Sequence, residues 1–300
     1  MDAGSPPPHP LLAARSGNLR RRLLANRAME VGSWVAAILA VAVLALVIAS
    51  VAIKGIGSIS LGFLTHNADP NALGATGGIG NALVGTAIMV GLGALMAIPV
   101  GILVAIYTNE FAGARSASVI RYFLDVLNGV PTIVTGIFVF GLLVAGHQQS
   151  GFAGGVALAI VMLPLVARAC QEVLALVPAS VKEAGLAVGA SRWRTIVSVV
   201  VPTALSGMIT GALLAVARAV GETAPLLFVS SIFGPTLQTD PARALPSVPV
   251  VIFQFSESPE PAKHDQAWAA ALVLIAFVLL ISVVARVLSA RTRRRLGAAR

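Results

Sequence analysis

Arg218 and Glu222 occupy positions i and i+4 in GALLAVARAVGETAPLLFVSSIF, residues 211–233, a stretch otherwise apolar enough to lie in a membrane. An ionisable side chain inside a bilayer costs about 2.5–3.5 kcal/mol on insertion scales, so it is kept where it pairs or lines a path. On a helix this spacing puts both residues on one face. A guanidinium is a permanent cation whose planar fork matches an oxyanion. The pair therefore reads as an anion gate, in which Glu222 neutralises Arg218 at rest and an arriving oxyanion competes for it. Thr223, which follows directly, is grouped with them in the candidate pathway. The plainer alternative is an ion pair that cancels its own charge. That is a weak arrangement for structure alone, because burying two ions costs more than burying two apolar residues.

The rest of the chain must hold such a pair in a membrane. Of its 300 residues 57% are hydrophobic and 11% charged, against about 25% charged in soluble domains. Mean hydropathy is +0.90. A net charge of +9 and a pI near 11.2 raise nucleic acid as a partner, but the basic residues flank apolar runs instead of lining a polar face. One cysteine, Cys170, excludes an internal disulfide framework. His9, His66, His147 and His264 are far apart, so no metal site is expected.

Apolar runs predict an all-α polytopic protein with six transmembrane helices. Span 1 is about 31–53, uncharged and long enough to cross a hydrocarbon core of about 30 Å; it reads as a retained span and not a signal segment. Span 2 is about 81–107 with Pro99 inside it. The uncharged run 126–167 is too long for one crossing, and HQQSG at 147–151 divides it into span 3, about 122–146, and span 4, about 152–176. Span 5 begins near Pro202 and contains the charged pair. Span 6 is about 266–288. Glycines within the spans, including GMITG at 207–211, predict close helix packing. Residues 1–30 read as a disordered basic tail, 31–288 as the six-span domain, and 289–300 as a second basic tail.

With six spans, Lys54, Arg243 and Lys263 fall on one side and Arg218 in the membrane, while the rest of the 21 Lys and Arg fall on the side of both termini. The positive-inside rule makes that side cytoplasmic. Arg218 lies sixteen residues past Pro202, about 24 Å along an unbroken helix. Pro225 is expected to disturb the helix just beyond the pair.

Between spans 4 and 5, about 178–202, lies VPASVKEAGLAVGASRWRTIVSVVVP. Pro178 and Ser180 suit a turn and cap, Gly189 ends one short helix, and Ser191 caps a second. This segment resembles the EAA loop of ABC importer permeases, which reads E-A-A, three residues, G, nine residues, I-x-L-P. Glu183, Ala184, Gly189 and Pro202 match, while Gly185, Val199 and Val201 depart by small or aliphatic swaps. The resemblance implies a type I ABC importer permease fold and docking of the loop on an ATPase subunit. The chain holds no P-loop: Lys54, Lys182 and Lys263 are followed by Gly, Glu and His. ATP and Mg would thus be bound by the partner, and this chain would be no enzyme and need no cofactor.

The resemblance narrows further. ARAVGETAPLLF is similar to the R-A-x-G-E-T-A-P-L-L pattern of the PstA-type permeases of the high-affinity phosphate importer. LNGVPTIVTGIF at 127–138 is similar to their G-V-P-S-I-V-x-G-x-F, with Thr132 where Ser is usual. Gly129, Pro131 and Thr132 mark that motif. ALPSVPVVIFQF and AWAAALVLI also resemble the family, and the resemblance covers about 80–288. It implies phosphate as substrate, a second PstC-like permease, a PstB-like ATPase dimer, an external PstS-like binding protein, and a bacterial inner membrane. Sulfate and molybdate permeases share R-A-x-G-E, so another oxyanion (sulfate, molybdate or tungstate) stays open. An ion-gradient transporter and a non-transport membrane scaffold or sensor are further alternatives; the former would favour inverted repeats, and ARAVGE has no second copy.

Overall fold

The computed structural model describes residues 19–68, 77–230 and 236–297, with every side chain in them except those of residue 20 and residues 288–297. Among these residues there are helices, turns and no strands. Among the described residues five helices are long and apolar enough to cross a membrane, and six if a pair bent against each other is counted as one broken span.

Helix α1 runs Leu19–Gly55. The residues up to Ser50 form a unit of their own. There Leu39, Leu44 and Leu46 are all exposed, which hydrocarbon tolerates because the helix satisfies its own backbone. The expected disordered tail is corrected: residues 1–18 lie outside the described residues, but 19–30 are already helix. LRRRLLANRAME is built from good helix formers, with neither Gly nor Pro. The other end of the chain is helical too. Helix α12, Pro261–Gly297, starts on a proline at its first position and continues through most of the expected tail 289–300; residues 298–300 lie outside the described residues.

The second unit, from Val51 onward, has α3 (Gly80–Ile106) and α6 (Gly151–Ala175) at its centre. A Cβ on Gly154 would meet Met89 at 2.4 Å, and one on Gly155 would meet Leu92 at 2.7 Å, so these glycines let the two helices approach. Pro99 and Pro164 sit inside intact helices. Helix α2 (Leu61–Thr65) is capped by Ser60 Oγ, which accepts from Phe63 N at 3.0 Å. Phe63, Ile79 and Ala82 form one core cluster with Phe255 and Ala270.

Span 3 is not the straight crossing expected at 122–146. Helix α4 (Ala114–Gly129) and the run from Thr132 to Val144 meet at 94°; that run is α5 (Thr132–Val139) followed by a wide turn, Phe140–Val144. Val130, pushed to an extended conformation before Pro131, makes the break. Neither arm alone reaches across about 30 Å.

The segment between spans 4 and 5 forms α7 (Ala179–Ala187) and α8 (Arg192–Thr195). Span 5 does not begin at Pro202. From Arg192 the chain is helical without interruption to Val220, through a wide turn at Ile196–Val200 and then α9, Val201–Val220. The GMITG glycines seat α9 on α6: a Cβ at 207 would be 2.5 Å from Val173, and at 211 2.6 Å from Ala169. Beyond α9 come α10 (Leu226–Val229) and α11 (Val248–Ser256). Helix α11 is tied back to α3, with Val248 N donating to Thr86 Oγ1 at 2.9 Å.

Candidate functional site

Helix α9 buries Ala204, Met208, Ala212, Ala215 and Ala219. Leu205 and Ile209 are exposed on one flank of that buried face, and Leu214 on the other; Arg218, one turn beyond Leu214 on the same flank, has its side chain 63% exposed. A guanidinium exposed on an otherwise apolar helix cannot face hydrocarbon cheaply. It needs a water-filled passage or a partner surface.

Glu222 is not on the same helical face. The helix closes at Gly221, whose N–H donates to Arg218 O at 3.1 Å, and Glu222 N donates to Ala219 O at 3.1 Å. The break therefore comes before Pro225, and Glu222 is carried on the turn that follows. It stays within reach of its partner: Arg218 Nε lies 3.8 Å from Glu222 Oε1, with the carboxylate side chain 14% exposed. At that length the pair is a loose electrostatic contact and not a hydrogen bond. The Arg218 fork is left free to take a second anion.

Thr223 is half-buried, and its carbonyl accepts from Leu226 N at 3.1 Å and Leu227 N at 3.2 Å, fixing the turn. The motif at 129–138 reaches the same turn. A Cβ on Gly136 would come 2.7 Å from Pro225 Cα. Of the residues marking that motif, Pro131 and Thr132 begin the arm that makes this contact, while Gly129 ends α4 on the far side of the bend.

The coupling candidates form a second cluster. Helix α7 has no buried residue. Glu183 and Ala184 are exposed on it, beside Leu186, Val188 and Trp193, which are exposed as well. Gly189 has φ +81°, the left-handed conformation that closes a helix. Ser191 Oγ caps α8, accepting from Arg194 N at 3.4 Å. Pro178 precedes α7 without a side-chain cap, and Ser180 is inside the helix. Gly185, where the loop pattern has alanine, faces Thr195: a Cβ there would lie 2.5 Å from Thr195 Cγ2. Pro202 is exposed early in α9, a full segment away from Glu183.

Sequence reasoning missed a polar layer beneath this surface. Glu110, on the wide turn Tyr107–Phe111 that ends α3, is buried and pairs with Lys182 at 2.5 Å. Arg168 of α6 pairs with Asp125 of α4. Gln171 Nε2 donates to Thr108 Oγ1 at 2.7 Å. These partners are remote in sequence, and only the isolated charges in short polar links hinted at them.

Residues 97–296 match the family described as binding-protein-dependent transport system inner membrane component. Relatives named phosphate transport system permease protein PstA include one from Yersinia pestis, 39% identical over 80% of this chain and 81% of the relative. One from Haemophilus influenzae is 36% identical over 87% and 92%. The PstA 1 protein of Mycobacterium tuberculosis is 41% identical over 73% of each chain. Among solved structures, a chain of a bacterial alginate ABC transporter superposes with a TM-score of 0.63 at 14% identity, covering 91% of this chain and 98% of that one. A chain of the MetNI methionine ABC transporter gives 0.56 at 19%, covering 71% and 93%.

Proposed function

Because this chain belongs to the family of binding-protein-dependent transport system inner membrane components, we propose that it is the permease subunit through which an ATP-driven importer moves inorganic phosphate into the cell. Its all-α architecture is that of the ABC importer permeases on which it superposes. It is a multi-pass membrane protein. Both termini lie in the cytoplasm, in keeping with the basic residues that flank the spans on that side.

The observation that carries this reading is one continuous helix. It begins at Arg192 in the exposed coupling segment and ends with Arg218 in its last turn. Docking of an ATPase dimer on α7 and α8, through Glu183, Ala184 and Gly189, would move the element that holds the cation. The PstA relatives support phosphate as the anion. An external binding protein delivers it, and a second, PstC-like permease completes the passage that exposed Arg218 requires. Arg218 meets the anion in transit, Thr223 lines its turn, and Glu222 retakes the guanidinium once the anion has left. ATP and Mg belong to the PstB-like partner.

Radiolabelled phosphate uptake tests the reading, in cells lacking their own high-affinity importer and carrying this chain with its cognate partners. Uptake that resists excess sulfate and molybdate is expected. Uptake suppressed by either anion would move the substrate to that oxyanion. No ATPase subunit co-purifying with the chain would remove the importer reading altogether.

A further inference from the structure

The coupling segment also grips a helix into which it does not run. Lys182, immediately before Glu183, places Nζ 2.5 Å from Oε1 of Glu110. Arg192, at the start of α8, donates to the backbone carbonyl of Glu110. The Arg192 guanidinium lies 5.5 Å from the Phe111 ring centre, and the Trp193 ring is 5.8 Å from the same ring. Side chains from both α7 and α8 thus converge on two adjacent residues, Glu110 and Phe111, in the wide turn that ends α3. That turn is anchored in its own right to α6, through Gln171 Nε2 on Thr108 Oγ1 and Asn109 Nδ2 on Gln171 O, each at 2.7 Å.

The two ends of the ion pair differ in burial. Glu110 is 5% exposed, whereas the Lys182 side chain is 31% exposed. Pulling Lys182 away would leave an ionised carboxylate in a low-dielectric site, the costliest way to open such a pair. The contact therefore stays closed while α7 and α8 move, and the end of α3 moves with them. We infer that Glu110 is a positioning residue of the transport cycle: held by Lys182 and Arg192, it delivers the displacement of the coupling segment to the α3–α6 pair as well as to α9. This rests on the reading of α7 and α8 as the ATPase docking surface.

The test uses the assembled importer, purified with its partners and reconstituted in liposomes, with phosphate transport, ATP hydrolysis and retained ATPase measured separately. In Glu110→Gln, bound ATPase and hydrolysis are expected to persist while phosphate moved per ATP falls about tenfold, a typical size for a coupling term. Transport per ATP equal to wild type would overturn the proposal. A second variant covers the case in which Glu110→Gln does not assemble. Cysteines at 110 and 182 in a Cys170→Ala background are joined by a bis-methanethiosulfonate reagent whose spacer replaces the length of the two side chains. Uptake that survives the cross-link supports a pair that never opens, and uptake abolished by the cross-link and restored by reductant overturns it. A wild-type complex that retains no ATPase would instead defeat the docking reading on which the proposal rests, and the wild-type control thereby separates that failure from a loss of coupling confined to the variants.

Discussion

Gly136 lies against Pro225 with no room for a side chain: a Cβ would stand 2.7 Å from Pro225 Cα and 2.8 Å from its carbonyl oxygen. The bent span is thereby seated on the turn that carries Glu222 and Thr223. Backbone fills the space, so no side chain can rotate out of the way. Gly136→Ala is expected to displace the turn, overpacking of this kind costing about 1–3 kcal/mol, and to lower phosphate uptake about tenfold at equal membrane abundance. Gly141→Ala, in the same arm with open space around it, serves as the control and should transport like wild type. Equal uptake by both variants would separate the motif from the gate.

The loose Arg218–Glu222 geometry makes a prediction about charge and shape. Hydrogen bonds to a charged group contribute about 1.5–3 kcal/mol, so Arg218→Gln should reduce uptake by about 10- to 100-fold with the complex still assembled. Arg218→Lys keeps the charge but loses the planar fork, and its uptake should fall between the two. The combined Arg218→Gln, Glu222→Gln protein is the decisive case. Wild-type uptake from it would reduce the pair to mutual neutralisation.

Gly185 is where the chain departs from the E-A-A pattern, and Thr195 supplies the reason. Gly185→Ala should lower the thermal stability of the purified permease and weaken ATPase retention, because the new methyl meets a stiff β-branched side chain at 2.5 Å. Thr195→Ala in the same chain should restore both. It removes the obstructing methyl together with Oγ1, which is buried and without a hydrogen-bond partner among the described residues. A double variant no better than Gly185→Ala would show that the two side chains do not share this space.

The left-handed backbone at Gly189 sets the angle between α7 and α8. Gly189→Val should cost about 1–2 kcal/mol in backbone strain and reduce the ATPase subunit recovered with the complex. Asparagine tolerates that conformation better, so Gly189→Asn should recover more. A pull-down of the two variants side by side checks this, and identical recovery would mean that the angle is irrelevant to docking.

Local chemistry made much of this legible in advance. Gly189 and Ser191 carry their own stop and start signals, and the apolar runs gave the crossings. The bend in span 3 was harder to read, because Pro99 and Pro164 lie within intact helices while Pro131 breaks one. What distinguishes it is the Asn128–Gly129 pair just upstream, poor helix formers that weaken the last turn before the proline. Placing Glu222 on the helix face failed for a related reason: Gly221 ends α9 one residue earlier. The Glu110–Lys182 pair had no local signature, since nothing in the periodicity of either segment refers to the other. Only the packed bundle brings them together.

The uninterrupted run from Arg192 to Val220, 29 residues, is about 43 Å long. The proposed gate and the proposed docking surface are thus opposite ends of a single lever arm. A tilt of about 5° at its cytoplasmic end would sweep Arg218 sideways by about 4 Å over that length, comparable to its present separation from Glu222. A stroke too small to unpack the bundle can therefore be geared up into one large enough to exchange the partner of a guanidinium.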